Sequence, residues 1–219
     1  MTFSELQVIT SAWLDDVNNG YFTLAQVKQW LNNAQIETQK LVVQAFEGHY
    51  RKCVETTTVV NQREYQLPSD FKKVSRLEYI LSGTTFQTED RARLQKVTEN
   101  QQDFFPDKVG TPVAYYFQGN KLILLPCPNE AKILRLTYIY RVADMVNDGD
   151  EPDIPEDYHE YLAVLATLDG LYRDGREAGP FLEKKRYYEE QFKRDAEERN
   201  VDTSRTVVQT IDDDFESIY

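Results

Sequence analysis

The side chains able to do chemistry are few, and their spacing suits none of the common reactions. The chain has two histidines and two cysteines. His49 and Cys53 stand four residues apart, which on a continued helix places both on one face. A structural zinc takes four such ligands and a catalytic zinc three, and no second pair at ligand spacing follows. Glu156-x-x-His159 matches half of the di-iron helix motif, but that motif needs a second Glu-x-x-His and two further glutamates. Without them, Glu156 complements the positive end of a helix and His159 lies on the polar side of that helix. The run Asp148, Asp150, Glu151, Asp153 lacks the order of a calcium loop. Carboxylates in one linker also do not face each other across a cleft, as glycoside hydrolysis requires. No GxSxG, GxxxxGK[ST] or GxGxxG is present, so neither a nucleophile elbow nor a phosphate cradle is encoded. Lys184-Lys185-Arg186 is interleaved with Glu183, Glu189 and Glu190, the pattern of a salt-bridged helix face. The expectation is a structural or assembly protein with no catalytic residue, no cofactor and no metal. The rival is a metal-dependent enzyme built on Glu156 and His159.

Composition narrows the partners. Of 219 residues, 41% are hydrophobic and 28% charged, an ordinary globular balance. The net charge of −12 argues against a main role in gripping phosphate, which needs clustered Lys and Arg. It still permits DNA to slide past a repelling wall. The 14 tyrosines lean toward protein interfaces, because tyrosine joins an apolar body to a polar tip. Two cysteines without CxxC spacing fit a cytosolic site of synthesis. The first sixteen residues do not resemble a signal peptide, and no apolar run approaches the ~20 residues that span a bilayer.

Hydrophobic periodicity outlines the elements. A helix is expected over residues 4–16, capped by Ser4, and a longer one from a Thr23 cap to about Gly48. In the second, Leu24, Val27, Leu31, Ala34, Thr38, Leu41 and Ala45 share one face. Strands are expected over 55–60, 63–67 and 74–81, with a weak helix over 90–102. A hairpin joins 113–117 to 121–125 about Gly119-Asn120. The best strand is 133–142. Leu134, Leu136, Tyr138, Tyr140 and Val142 point one way, and Ile133, Arg135, Thr137, Ile139 and Arg141 the other. After an acidic linker, Pro155 opens a helix striped by Tyr158, Tyr161, Leu162, Leu165, Leu168 and Tyr172, and a charged helix follows over 181–199. These Tyr faces read as core more than as interface. The fold class is α+β: a helical bundle from the N- and C-terminal helices, a β-rich antiparallel insertion, and an extended C-terminal tail. The corresponding parts are residues 1–53, 54–146, 147–200 and 201–219.

The tail departs from a solvated end. Val207, Val208, Ile211, Phe215, Ile218 and Tyr219 stud an acidic stretch, and exposed apolar groups in that setting suit a partner. The alternative is an end that packs on its own domain.

One ordered series of short motifs carries a resemblance. It runs Tyr65-x-Leu67-Pro68-x-Asp70-Phe71-x-Lys73, Gly110-x-Pro112-x-x-Tyr115, then Gly119-Asn120-Lys121-Leu122-x-Leu124-x-Pro126-x-Pro128. Leu136-x-Tyr138-x-Tyr140-Arg141 and Pro152-x-Ile154-Pro155-Glu156-x-Tyr158-His159 complete it. The series resembles the head-to-tail adaptor (connector, head-completion) proteins of tailed bacteriophages over about residues 65–192. The resemblance implies a helical bundle with a β-rich insertion and a homo-oligomeric ring, typically of twelve. It places that ring in the virion neck, between the portal protein and tail or nozzle proteins. Double-stranded DNA then passes through the channel without specific binding, and no membrane is involved. It also implies that the C-terminal segment reaches into the portal or a neighbouring subunit. A tail terminator, or another tail structural protein, is the alternative within the same virion.

Overall fold

The computed structural model describes residues 1–18, 20–45, 48–82, 90–105 and 109–212, the last stretch as backbone path alone from 198. The chain divides into two compact units. Met1–His49 and Val142–Tyr219 form a helical unit, and Tyr50–Arg141 forms a β unit.

The helical unit is built on four helices: α1 (Phe3–Trp13), α2 (Leu24–Ala45), α3 (His159–Asp174) and α4 (Gly179–Asp212). Thr2 caps α1, two residues earlier than the expected Ser4. Its hydroxyl accepts from the Glu5 N–H while the Glu5 carboxylate accepts from the Thr2 N–H, a reciprocal pair of bonds. The early start also buries Phe3 completely. Thr23 caps α2 as expected, with Gln26 returning the bond. Of the expected α2 stripe, Val27, Leu31, Ala34 and Thr38 are buried, Leu24 stays exposed, and Leu41 is half-buried while its neighbour Val42 takes the core position. A 3-10 turn, Glu156–Tyr158, leads into α3. α3 packs against α1, α2 and α4, which is why eleven of its residues are buried and its apolar stripe widens into most of its circumference. Gly170 permits the approach of α1, because a Cβ there would lie 2.7 Å from Leu14 Cδ2. Gly175, at φ +67°, closes α3 in the left-handed conformation that glycine adopts without strain.

The β unit contains β1 (Arg51–Thr57), β2 (Glu64–Gln66), β3 (Phe71–Ser82), β4 (Asp90–Arg93), β5 (Gln95–Lys96), β6 (Val109–Gly110), β7 (Ala114–Gln118), β8 (Lys121–Leu125), β9 (Cys127–Pro128) and β10 (Ile133–Tyr140). One antiparallel sheet has the order β1-β10-β3-β4, a second has the order β2-β8-β7-β5, and β6 pairs with β9. The β7–β8 hairpin turns at Gly119, φ +59°, where the sequence predicts it. Leu77, Tyr79, Leu134, Leu136 and Tyr138 of the first sheet share a core with Tyr65, Tyr115, Leu122 and Leu124 of the second.

Two expectations fail here. Residues 90–102 are not a helix but β4, β5 and a 3-10 turn, Glu99–Phe104. Pairing of β4 with β3 and burial of Leu94 override a weak local preference. Ile139 does not share the environment of Arg135, since it is 1% exposed. Register shifts at Thr137/Tyr138 and Ile139/Tyr140 break the strict alternation on which that reading rested.

Candidate functional site

The groups singled out for chemistry are structural. His49 lies in the turn after α2 and Cys53 in β1, exposed, so no single helix face joins them. His159 is buried at the start of α3, not on its polar side. Its Nδ1 is 2.8 Å from the Met1 amine and its Nε2 is 2.9 Å from the Ile154 carbonyl oxygen. A neutral imidazole satisfies both contacts, accepting from the ammonium and donating to the carbonyl. Glu156 points to solvent. In the acidic linker, the Asp150 carboxylate accepts from the Val146 and Asn147 N–H groups, each at 2.8 Å, and Asp148 pairs with Lys28 at 3.0 Å. Those partners hold both carboxyls below the ordinary aspartate range. No group of three or more His, Cys, Asp or Glu able to hold a metal occurs among the described residues. None of the described helices is long and apolar enough to cross a membrane.

What the helical unit does build is a seam that fixes α4. Tyr158 stacks on Phe192 with ring centres 3.7 Å apart, and Tyr161 packs against Tyr188 and Phe192. Each ring, buried for Tyr158 and Tyr161 and half-buried for Tyr188, supplies contact area, and its hydroxyl finds a carboxylate. Tyr158 donates to Asp195, and Tyr188 donates to Glu160 at 2.8 Å. Lys184 closes the set, 2.5 Å from Glu160 and 4.2 Å over the Trp13 ring. Burial first, and then the adjacent carboxylates, push the Tyr158 and Tyr188 hydroxyls up. Lys184 holds Glu160 below its ordinary value.

Past Asp195, α4 continues to Asp212. A 34-residue helix extends about 50 Å at 1.5 Å per residue. Val207, Val208 and Ile211 therefore lie on helical backbone, where the sequence reading expects an extended chain. Phe215, Ile218 and Tyr219 lie outside the described residues.

The motif residues of the β unit are internal struts. Asp70 accepts from the Tyr138 hydroxyl and from Lys52 Nζ, each at 2.8 Å, and Lys52 also sits 4.1 Å over the Tyr140 ring. Lys52 holds Asp70 down, while burial and Asp70 push Tyr138 up to about 12. Tyr65 accepts from the Val59 N–H at 3.0 Å. The two units differ sharply in charge. Residues 50–141 hold 14 Lys and Arg against 10 Asp and Glu, whereas the rest of the chain holds 11 against 27. The acidity visible in the composition belongs to the helical unit. Composition alone missed this, although a charge count taken segment by segment finds it.

A family model described as SU10 adaptor protein matches residues 1–211. No curated protein matches the chain.

Proposed function

The chain belongs to the SU10 adaptor protein family, and from that premise we propose that its copies close a ring between portal and tail, twelve in number. It is a structural component of the virion neck, a head-to-tail adaptor of a tailed bacteriophage rather than an enzyme. The family match over almost the whole chain carries this reading. In the proposal, the portal contacts one side of the ring and tail or nozzle proteins the other. Val207, Val208 and Ile211, with Phe215, Ile218 and Tyr219 beyond them, dock α4 and the chain end onto the portal or a neighbouring copy. The seam that grips Tyr158 and Phe192 supports this role, since it anchors α4 up to Asp195 and leaves a further length of helix beyond it. DNA passes through the ring without specific binding, in keeping with the negative excess of the helical unit, which repels phosphate.

Electron microscopy of this chain mixed with the portal of the same genome tests the proposal. A new twelve-fold ring stacked on the portal is expected. A bare portal with the chain left free in solution overturns the reading. Deleting residues 201–219 should leave the fold intact and weaken docking, and full docking by the truncated chain would remove the tail from its assigned role.

A further inference from the structure

Among the described residues, β1 and β4 are the outermost strands of the first sheet of the β unit. Among the described residues β1 has one strand partner, β10, in unbroken register from Arg51 opposite Ile139 to Thr57 opposite Ile133. All seven of its residues are exposed. Proteins usually blunt an edge this long with a proline, a bulge or outward lysines. β1 has no proline and no bulge, and its one lysine, Lys52, is drawn onto Asp70 and Tyr140. At the opposite edge, β3 is the one strand partner of β4 in this sheet among the described residues.

One row of side chains crosses all four strands. Glu55 stands opposite Arg135, Arg135 opposite Glu78, and Glu78 opposite Arg93. The charges alternate in sign along this row. Arg135 Nε lies 2.6 Å from Glu55 Oε1, and buried Glu78 draws in Arg76 and Arg91 as well. The row begins on a carboxylate at the β1 edge and ends on a guanidinium at the β4 edge. Arg93 is exposed and has no ion-pair partner among the described residues. Opposite charges directly across neighbouring strands stabilise a sheet, and like charges oppose it. A row with unlike ends continues itself when a second copy is laid edge to edge.

Strand direction agrees with this. The four strands alternate in direction, so β1 and β4 run opposite ways. Copies related by the rotation of a ring keep one orientation. β4 of one copy therefore meets β1 of the next antiparallel, the arrangement that a direct edge-to-edge ladder uses. A ring needs two different, complementary patches on each subunit, and these two edges meet that need.

We propose that β1 of one copy pairs antiparallel with β4 of a second copy of this chain, with Glu55 opposite Arg93 of that copy, so that the sheet runs on from subunit to subunit. This rests on the ring reading above. The test uses the full chain on the portal of the same genome, with Cys53→Ser and Cys127→Ser as background. Directly opposed residues of an antiparallel pair have Cα atoms about 4.5–5.5 Å apart, within disulfide reach. Adding Glu55→Cys with Arg93→Cys should give, on oxidation, a ladder of covalently linked copies. Either cysteine alone faces a side chain without a thiol and should leave the ring unlinked, and moving the first to Val54 should abolish the ladder. Arg93→Glu sets like charges together at the junction and should lower ring occupancy at least tenfold at low salt, with an unchanged circular dichroism spectrum. Arg93→Gln should fall between it and the wild type. Wild-type rings together with an unlinked Glu55→Cys/Arg93→Cys chain overturn the pairing and leave the ring reading standing. Absence of any ring from the wild-type mixture overturns both.

Discussion

Tyr161 in the helical unit and Tyr138 in the β unit are almost equally buried, at 0% and 2% exposed, and each hydroxyl ends on a carboxylate. The settings differ. Tyr161 reaches Glu189 across the α3–α4 seam, within a unit rich in excess acid. Tyr138 reaches Asp70, whose charge Lys52 already offsets. In the helical unit the tyrosine–carboxylate contacts fasten one long helix to another. In the β unit the same contact ties the chain after Pro68 to the central strand. One chemical device therefore serves two kinds of architecture, and what decides its role is which elements bring its two halves together.

The largest effect expected from breaking this comparison is Tyr161→Ala. It empties a packed site between Tyr188 and Phe192 and should cost about 3–5 kcal/mol, read from denaturant unfolding followed at 222 nm. Tyr138→Phe keeps the ring and removes only the hydroxyl, so its loss should be about 1–2 kcal/mol by the same measurement. A result as large as that for Tyr161→Ala would show that the Asp70 contact, rather than packing, organises the β unit. Gly170→Ala forces Leu14 and Trp30 to yield, but the added helix propensity offsets part of that strain. A net loss of about 1 kcal/mol is expected from the thermal midpoint, and Leu14→Ala in the same chain should relieve the strain component.

Both units should weaken toward acid. Glu160 and Asp70 sit below their ordinary values of 4.5 and 3.8. Their contribution is complete above those values and is lost as pH falls through the depressed ones. Toward alkali the sign reverses for tyrosine. The share from Tyr138 is present below 10 and is lost as pH rises toward about 12. Titration of stability against pH should show this alkaline loss reduced in Tyr138→Phe. The smallest effect is expected for Lys121→Ala. Its pair with Glu64 is half exposed on both sides and should contribute at most about 0.5 kcal/mol, as a double-mutant cycle would show.

Local pattern made some of this legible. The α2 stripe, the Thr23 cap, the β7–β8 turn at Gly119 and the helix after Pro155 all follow from spacing, because each depends on neighbours a few residues away. Residues 90–102 and Ile139 were not legible. Their states depend on a partner strand and on register shifts, which no window along the chain contains. The same holds for His159, whose partners at Met1 and Ile154 meet only in the folded unit.

By itself the sequence determined the order of helices, β-rich insertion and helices, the absence of a nucleophile or cofactor motif, and a series of short motifs that pointed to an adaptor, because each of these is written in residue types at fixed separations. Only the tertiary structure decided that His159 is buried with its ring nitrogens on Met1 and Ile154. It also decided that the tyrosines grip carboxylates from other elements, and that Glu55, Arg135, Glu78 and Arg93 stand in one row. Those four residues are far apart along the chain. Strand pairing alone makes them neighbours, and pairing is a property of the folded backbone rather than of any local stretch.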